Sequence, residues 1–209
     1  MDAHLVLTFV VATALLSLAP GPDLLFIVTN GIVGGRRAGV LAALGMSTGL
    51  AVHTVVAATG LGILIQAAPQ VLQLVRLGGA AVLITLAVSA WRTGSASTVQ
   101  HAAPRRSLRR TYAMALLTNL ANPKVILFYL ALLPQFLATG PNAWPATAQM
   151  LTLGAIFIVV GLIVDATAGM ISGTLADRVL TRPAVRKVLH RGAAVVFGGL
   201  AARLVLDSR

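Results

Sequence analysis

Ala19-Pro20-Gly21-Pro22-Asp23 interrupts an otherwise apolar stretch of sequence, Leu5–Val28. A proline lacks the backbone N–H and clashes with the carbonyl four residues earlier, so Pro20 deprives the Leu16 carbonyl of its helical partner. Inside a membrane, a freed carbonyl has no water to accept from, and broken helices persist where they line a cavity and bind something. The stretch therefore predicts a broken membrane helix with a carboxylate, Asp23, beside the break.

The composition predicts an all-α integral membrane protein. Of the 209 residues, 57% are hydrophobic and only 10% are charged, and the mean hydropathy is +0.90. Cysteine and glutamate are absent, and the four histidines are scattered without metal-ligand spacing, so we expect no metal site and no cofactor. A net charge of +11 suggests nucleic-acid binding in a soluble protein, but here we attribute it to membrane topology and expect no nucleic acid partner.

Six apolar segments are predicted to cross the membrane. They cover about residues 5–31, 39–65, 71–91, 111–137, 146–173 and 192–206, and the last extends back toward residue 183. A hydrophilic interval, residues 93–110, separates residues 1–92 from residues 111–209, with three segments in each part. We interpret this interval as a basic, flexible cytoplasmic linker.

The stretch Asn119-Leu120-Ala121-Asn122-Pro123-Lys124 predicts a second broken helix, in the fourth segment. Pro123 frees the carbonyl of Asn119, and the residue before a proline avoids helical geometry. Because three segments precede the linker, the second half enters the membrane upside down relative to the first. Matching breaks in helices 1 and 4 indicate two inverted three-helix repeats with a site near the midplane of the membrane.

The basic residues predict the orientation. Twelve of the sixteen Lys and Arg residues fall in the intervals after segments one, three and five, whereas residues 66–70 and 138–145 contain none. Because cytoplasmic loops are enriched in Lys and Arg, we expect both termini on the periplasmic side.

The two breaks together suit a zwitterion. Each break begins a half-helix whose N–H groups favour a carboxylate. Asp23 can take an ammonium group or carry a proton, and so can Asp165, unless a neighbouring Ser, Thr or Arg satisfies it. Amide side chains donate and accept. The predicted substrate and ion site consists of Pro20, Gly21, Pro22, Asp23, Asn119, Asn122, Pro123, Lys124 and Asp165.

The roles of Lys124 and His53 have alternatives. Lys124, the only lysine in any predicted span, either binds the carboxylate of the substrate or pairs with Asp23 and only holds the two halves together. Gly45 and Gly49 form a small-residue face that predicts close helix packing. One turn later, His53 is interpreted as a helix-packing donor, with a proton relay as the alternative.

The motifs resemble those of the LysE/RhtB family of bacterial amino-acid exporters. They are residues 19–23, Gly45 and Gly49, Asn-Pro-Lys at 122–124, Phe128, and Leu-Pro-Gln-Phe at 133–136. The resemblance covers nearly the whole chain. It implies a multi-pass exporter in the bacterial cytoplasmic (inner) membrane, surrounded by lipid, that carries amino acids or related small metabolites and is driven by the proton gradient.

Other function classes fit less well. An intramembrane enzyme needs a nucleophile with a base or a metal cluster, and no acid or histidine pair has catalytic spacing, so no enzymatic activity is predicted. A pore-type channel or a non-transporting membrane assembly subunit is the alternative to a carrier. The sequence leaves open the identity of the amino acid, the coupling ion and whether the chain forms a homo-oligomer.

Overall fold

The computed structural model consists of helices joined by short turns in the residues it describes. These are residues 3–19, 21–61, 107–138, 140–141 and 143–172, with single helical positions between 81 and 91 and between 188 and 202. The α-helices are α1 (Ala3–Leu18), α2 (Pro22–Gly34), α3 (Arg36–Val56), α4 (Leu108–Leu120), α5 (Pro123–Leu127) and α6 (Ala146–Ile171). A π-helical turn follows α3 (Ala57–Leu61), and a π-helical turn and a 3₁₀ turn follow α5 (Phe128–Leu132 and Leu133–Phe136). None of the described residues is in a strand, in agreement with the predicted all-α class.

The described helices include two candidate membrane spans, or four if each of two bent helix pairs counts as one span. Two are continuous, namely α3 with part of its π-helical turn and α6. The other two are bent pairs: α1 and α2 meet at 57°, and α4 meets the helical segment 123–136 at 47°. Both bends lie at the predicted breaks. The predicted third and sixth segments lie outside the described residues except for single helical positions, so the count of six spans stays a prediction.

Proline begins the second helix of each bent pair. Pro22 opens α2 and Pro123 opens α5, at the helical position where a missing N–H costs nothing. Asn122 caps α5, because its Oδ1 accepts a 3.0 Å hydrogen bond from the backbone N–H of Lys124. The local sequence therefore explains why each helix restarts where it does.

Two helices begin earlier than the sequence predicted. The second segment was expected to begin at about residue 39, but α3 begins at Arg36, and Gly35 alone separates it from α2. The φ of Gly35, +79°, lies in the left-handed region that favours glycine, so the chain turns within this one residue. At the other boundary, Ser107 accepts a 3.4 Å hydrogen bond from the N–H of Arg110 and caps α4. Arg110 and its neighbour Arg109, which we expected in the linker, therefore belong to the first turn of α4.

Small residues allow α3 to pack closely against α4 and α6. A Cβ atom added to Gly45 would lie 2.7 Å from the Cβ of Ala115 in α4. A Cβ atom added to Gly39 would lie 2.7 Å from the carbonyl carbon of Gly169 in α6. These close approaches place α3 at the centre of the described helices.

An aromatic core joins the two bent pairs. The ring of Phe9 in α1 meets that of Phe136 edge-on, with 5.0 Å between centroids, and lies 5.8 Å from that of Phe128. Phe128 in turn lies 4.6 Å from the ring of Phe157 in α6. All four rings are buried. Their packing holds α1 against the segment after the second break.

Candidate functional site

Asp23 and Asn119 join the two breaks. Asp23 lies in the first turn of α2 and Asn119 in the last turn of α4, and both side chains are buried. Asn119 Nδ2 donates a hydrogen bond of 2.9 Å to Asp23 Oδ2. The structure therefore brings together two predicted site residues from opposite halves of the chain.

Lys124 makes the second connection between the breaks. It follows Pro123 in α5, and its Nζ donates to the carbonyl oxygens of Leu16 at 2.9 Å and Ala19 at 3.3 Å. The Leu16 carbonyl is the one that Pro20 deprives of a regular helical donor, although Pro20 itself lies outside the described residues. Neither oxygen of Asp23 accepts a hydrogen bond from Lys124, although the two side chains interact electrostatically.

Four buried polar atoms on α2, α3, α4 and at the start of α5 have no hydrogen-bond partner among the described residues. They are Asp23 Oδ1, Asn119 Oδ1, Asn122 Nδ2 and Ser47 Oγ. Buried polar groups are nearly always hydrogen-bonded in proteins, so a concentration of unpaired ones requires an explanation. Three of the four belong to residues that the sequence assigned to the site.

Asp165 lies on the inner side of α6. It is buried, and it interacts electrostatically with both Lys124 and Asp23. A Cβ atom on Gly161 would lie 3.3 Å from Leu50 of α3, and Gly169 contacts Gly39. Asp165 lies between these two α3–α6 contacts.

Ser47 lies at the same level of α3, between Gly39 and Leu50, and sequence reasoning missed it. Its hydroxyl is buried and has no partner among the described residues. Little in the sequence indicated that Ser47 belongs to the site, because a serine between Gly45 and Gly49 is typical of a packing face.

His53 contacts the break through the carbonyl that Pro123 frees. Its Nε2 lies 3.5 Å from Asn119 O, which also accepts from the backbone N–H of Asn122 at 3.0 Å. The imidazole stacks on the ring of Tyr129, with 5.5 Å between centroids and 24° between planes. The side chain of His53 is half-buried and spans from the break to the aromatic core.

Sequence reasoning also missed Tyr129 and Thr54. The hydroxyl of Tyr129 donates to Leu50 O at 3.1 Å and lies 2.8 Å from Thr54 Oγ1, which itself donates to Leu50 O at 2.8 Å. The presence of a tyrosine in an apolar segment could have indicated a buried polar contact, because a buried phenol needs a hydrogen-bond partner.

Two glycines border the site. A Cβ atom on Gly49 would lie 2.8 Å from the Cβ of Asn119, and one on Gly21 would lie 3.6 Å from Lys124 Nζ. Pro22 and Pro123 are exposed and set the helix starts.

No group of three metal-ligating side chains occurs among the described residues. The groups that meet in this region are carboxylate, amide, ammonium and carbonyl groups.

Apolar spans, two of them bent, with charged and amide side chains at the bends, define a multi-pass membrane protein of the kind that moves solutes. Comparison with known proteins supplies the family. The chain belongs to the LysE type translocator family, whose sequence profile matches residues 14–208.

Relatives of similar length share about a third of the sequence. A homoserine/homoserine lactone efflux protein of Salmonella typhimurium is 33% identical over 192 residues, which cover 90% of each chain. A leucine efflux protein of Klebsiella pneumoniae is 31% identical over 211 residues, which cover 95% of this chain and 93% of the relative. No solved structure gave a significant match. These relatives are transporters, which supports the prediction that the chain is not an enzyme.

Proposed function

We propose that this translocator is a secondary transporter that exports amino acids or related small zwitterionic metabolites from the bacterial cytoplasm. The observation that carries the proposal is the set of buried, unpaired polar atoms at the meeting point of the two breaks. The relatives named as homoserine and leucine efflux proteins support amino acids as the substrate class.

The unpaired atoms complement the two ends of an amino acid. Asp23 Oδ1 and Asn119 Oδ1 accept hydrogen bonds and suit an ammonium group, whereas Asn122 Nδ2 donates and suits a carboxylate. The amide orientations follow from their partners. Asn119 must present Nδ2 to the carboxylate of Asp23, and Asn122 must present Oδ1 to the N–H of Lys124.

A reciprocal pattern of contacts supports the inverted repeat. Asp23 follows Pro22 and bonds to Asn119, which precedes the other break. Lys124 follows Pro123 and bonds to the carbonyls of Leu16 and Ala19, which precede the first break. Each half therefore sends the side chain that follows its proline to the helix end of the other half, as two related and oppositely threaded units would.

The parallel packing of α3 and α4 supports the orientation. Gly45 lies against Ala115 and Gly49 against Asn119, so the two helices begin at the same end. Arg36 and Arg109, both exposed, mark that end. By the bias of Lys and Arg toward the cytoplasm, this end faces the cytoplasm of the bacterial inner membrane and the termini of the chain face the periplasm.

Proton coupling is assigned to Asp23. Its carboxylate is buried in an apolar span, where an acid is costly and marks substrate or proton pathways. One of its oxygens is held by Asn119 and the other has no partner among the described residues. Binding of a proton and binding of a substrate ammonium at that second oxygen exclude each other, which is the requirement for exchange.

Transport by the purified protein tests the proposal. Proteoliposomes loaded with a panel of unlabelled amino acids are placed in traces of the labelled forms, with and without a proton gradient. A carrier gives saturable uptake that is stimulated by the same amino acid inside. A pore gives linear, non-saturating flux, and an assembly subunit gives none; either result would refute the carrier.

Asp23→Asn is the matched variant for this assay, because it keeps the shape and the hydrogen bond to Asn119 and removes only ionisation. We expect gradient-dependent transport to be lost while the protein inserts and unfolds at a temperature close to that of the wild type. Normal gradient-driven transport by this variant would exclude the assigned role of Asp23.

A further inference from the structure

The ammonium group of Lys124 lies where α1 ends. Nζ donates to Leu16 O at 2.9 Å and to Ala19 O at 3.3 Å, and the side chain is 8% exposed. The backbone N–H of Ala19 also reaches Leu16 O, at 3.2 Å. The lysine thus comes from the second bent pair and binds the backbone of the first.

Carbonyl oxygens at such a helix end attract cations. They carry the partial negative charge of the helix C-terminus, and in carriers with broken helices unwound carbonyls bind the coupled cation. Two carboxylates add to this potential, since Asp23 on α2 and Asp165 on α6 both interact electrostatically with Lys124. His53 on α3 also interacts electrostatically with Asp23.

We infer that Lys124 is the resident cation of the first break. Its ammonium group occupies a monovalent-cation site formed by the carbonyl oxygens of Leu16 and Ala19, so the protein needs no inorganic cation there. The site is built for a primary ammonium group, which can donate to both oxygens at once. The cation site is inferred independently of transport; only its effect on transport rests on the proposed function.

Lys124→Ala opens the site to a soluble cation. The substitution removes three methylene groups and an ammonium, the same atoms as propylammonium. In detergent micelles, with choline chloride as the reference salt, we expect the variant to unfold at a lower temperature than the wild type. Propylammonium chloride should raise the midpoint of the variant by several degrees, in a concentration-dependent way, and leave the wild type unchanged.

Two comparisons make the recovery specific. Tetramethylammonium has the same charge but no N–H donor, and should not stabilise the variant. Gln149→Ala removes another buried polar side chain, one that bonds to Ala138 and Trp144 at the start of α6. We expect this control to be destabilised without recovery in propylammonium. Equal recovery of both variants, or recovery of neither, would overturn the inference.

Chemical modification gives a second test that does not depend on the alanine variant folding. The chain contains no cysteine, so Lys124→Cys provides a single thiol. Alkylation with 2-bromoethylamine rebuilds a side chain of lysine length with its ammonium, whereas iodoacetamide adds a neutral amide. Stability should return with the first reagent and not with the second; the same stability after both would refute a cation site.

Transport measured on the same samples separates this inference from the proposed function. If propylammonium restores stability but the wild type moves no amino acid, the cation site stands and the transport proposal fails. If the wild type transports and neither reagent restores the variants, the transport proposal stands and Lys124 is not the resident cation.

Discussion

Asn119 donates to Asp23 with 2.9 Å between Nδ2 and Oδ2, although the two residues are 96 positions apart in the sequence. One stands at the end of α4 and the other at the start of α2, so a single hydrogen bond joins the two bent helix pairs. Because both groups are buried, breaking this bond would leave each of them without a partner and away from water. The bond therefore helps to hold the two bent helix pairs together.

We expect Asp23→Ala and Asn119→Ala to be coupled in a double-mutant cycle. Each single variant leaves the other polar group buried without its partner, whereas the double variant removes both. The coupling energy should be about 0.6 kcal/mol and at most about 1.7 kcal/mol, the mean and the maximum found for hydrogen bonds between membrane helices. Unfolding in micelles measures it. The control is a second cycle that combines Asp23→Ala with Tyr112→Phe. These two residues share no hydrogen bond, so the effects of the two substitutions on the free energy of unfolding should be additive.

Gly49→Ala should be destabilising because the added methyl group collides with Asn119. It would lie 2.8 Å from the Cβ and 2.9 Å from the Cγ of that residue. We expect a loss of about 1–3 kcal/mol in the free energy of unfolding, and lower transport, as Asn119 is pushed from Asp23. Gly60→Ala is the control, since a Cβ there meets nothing within 4 Å. Equal stability of the two variants would show that α3 and α4 adjust without cost.

Tyr129→Phe should cost more stability than Tyr112→Phe. The first hydroxyl is buried and has two partners, at 3.1 Å in Leu50 and 2.8 Å in Thr54. The second is half-buried and contacts Thr48 alone at 2.7 Å among the described residues. Loss of the Tyr129 hydroxyl should lower the free energy of unfolding by about 0.6 kcal/mol, the mean for hydrogen bonds between membrane helices, and by at most about 1.7 kcal/mol. The measurement is again unfolding in micelles; an equal or smaller effect than Tyr112→Phe would contradict the expectation.

His53→Phe distinguishes helix packing from a proton relay. Phenylalanine keeps the stacking on Tyr129 and removes the electrostatic interaction with Asp23 and the 3.5 Å contact with Asn119 O, which is at the long limit of a hydrogen bond. We expect transport and its dependence on pH to be retained. His53→Ala, which also removes the stacking, should lower stability. Loss of gradient-driven exchange in His53→Phe with unchanged stability would favour the relay.

Much of the fold could be predicted from local sequence. Apolar length identified the membrane class, and the prolines at 20, 22 and 123 located both bends, because the missing N–H acts on the nearest turn of helix whatever surrounds it. The starts of the helices were harder to predict from the sequence. The early start of α3 depends on the backbone angle of Gly35, and that of α4 on capping by Ser107.

The polar residues of the candidate site were also visible in the sequence, since charged and amide groups are rare in apolar segments. The hydrogen-bond partners of these residues were not visible in the sequence. Lys124 was expected to meet a carboxylate, either that of the substrate or that of Asp23. Its ammonium group donates to the carbonyls of Leu16 and Ala19, and its binding to a substrate carboxylate stays a prediction. Tyr129 gave no indication that it would bridge to Thr54.

Hydropathy and proline act locally, so the class of protein, the positions of the two bends and the residue types beside them could be inferred from the order of the residues. The contact of Asp23 with Asn119 and that of Lys124 with the end of α1 became visible only in the folded chain. Those contacts join residues about a hundred positions apart and depend on how closely glycine-rich faces let the helices approach.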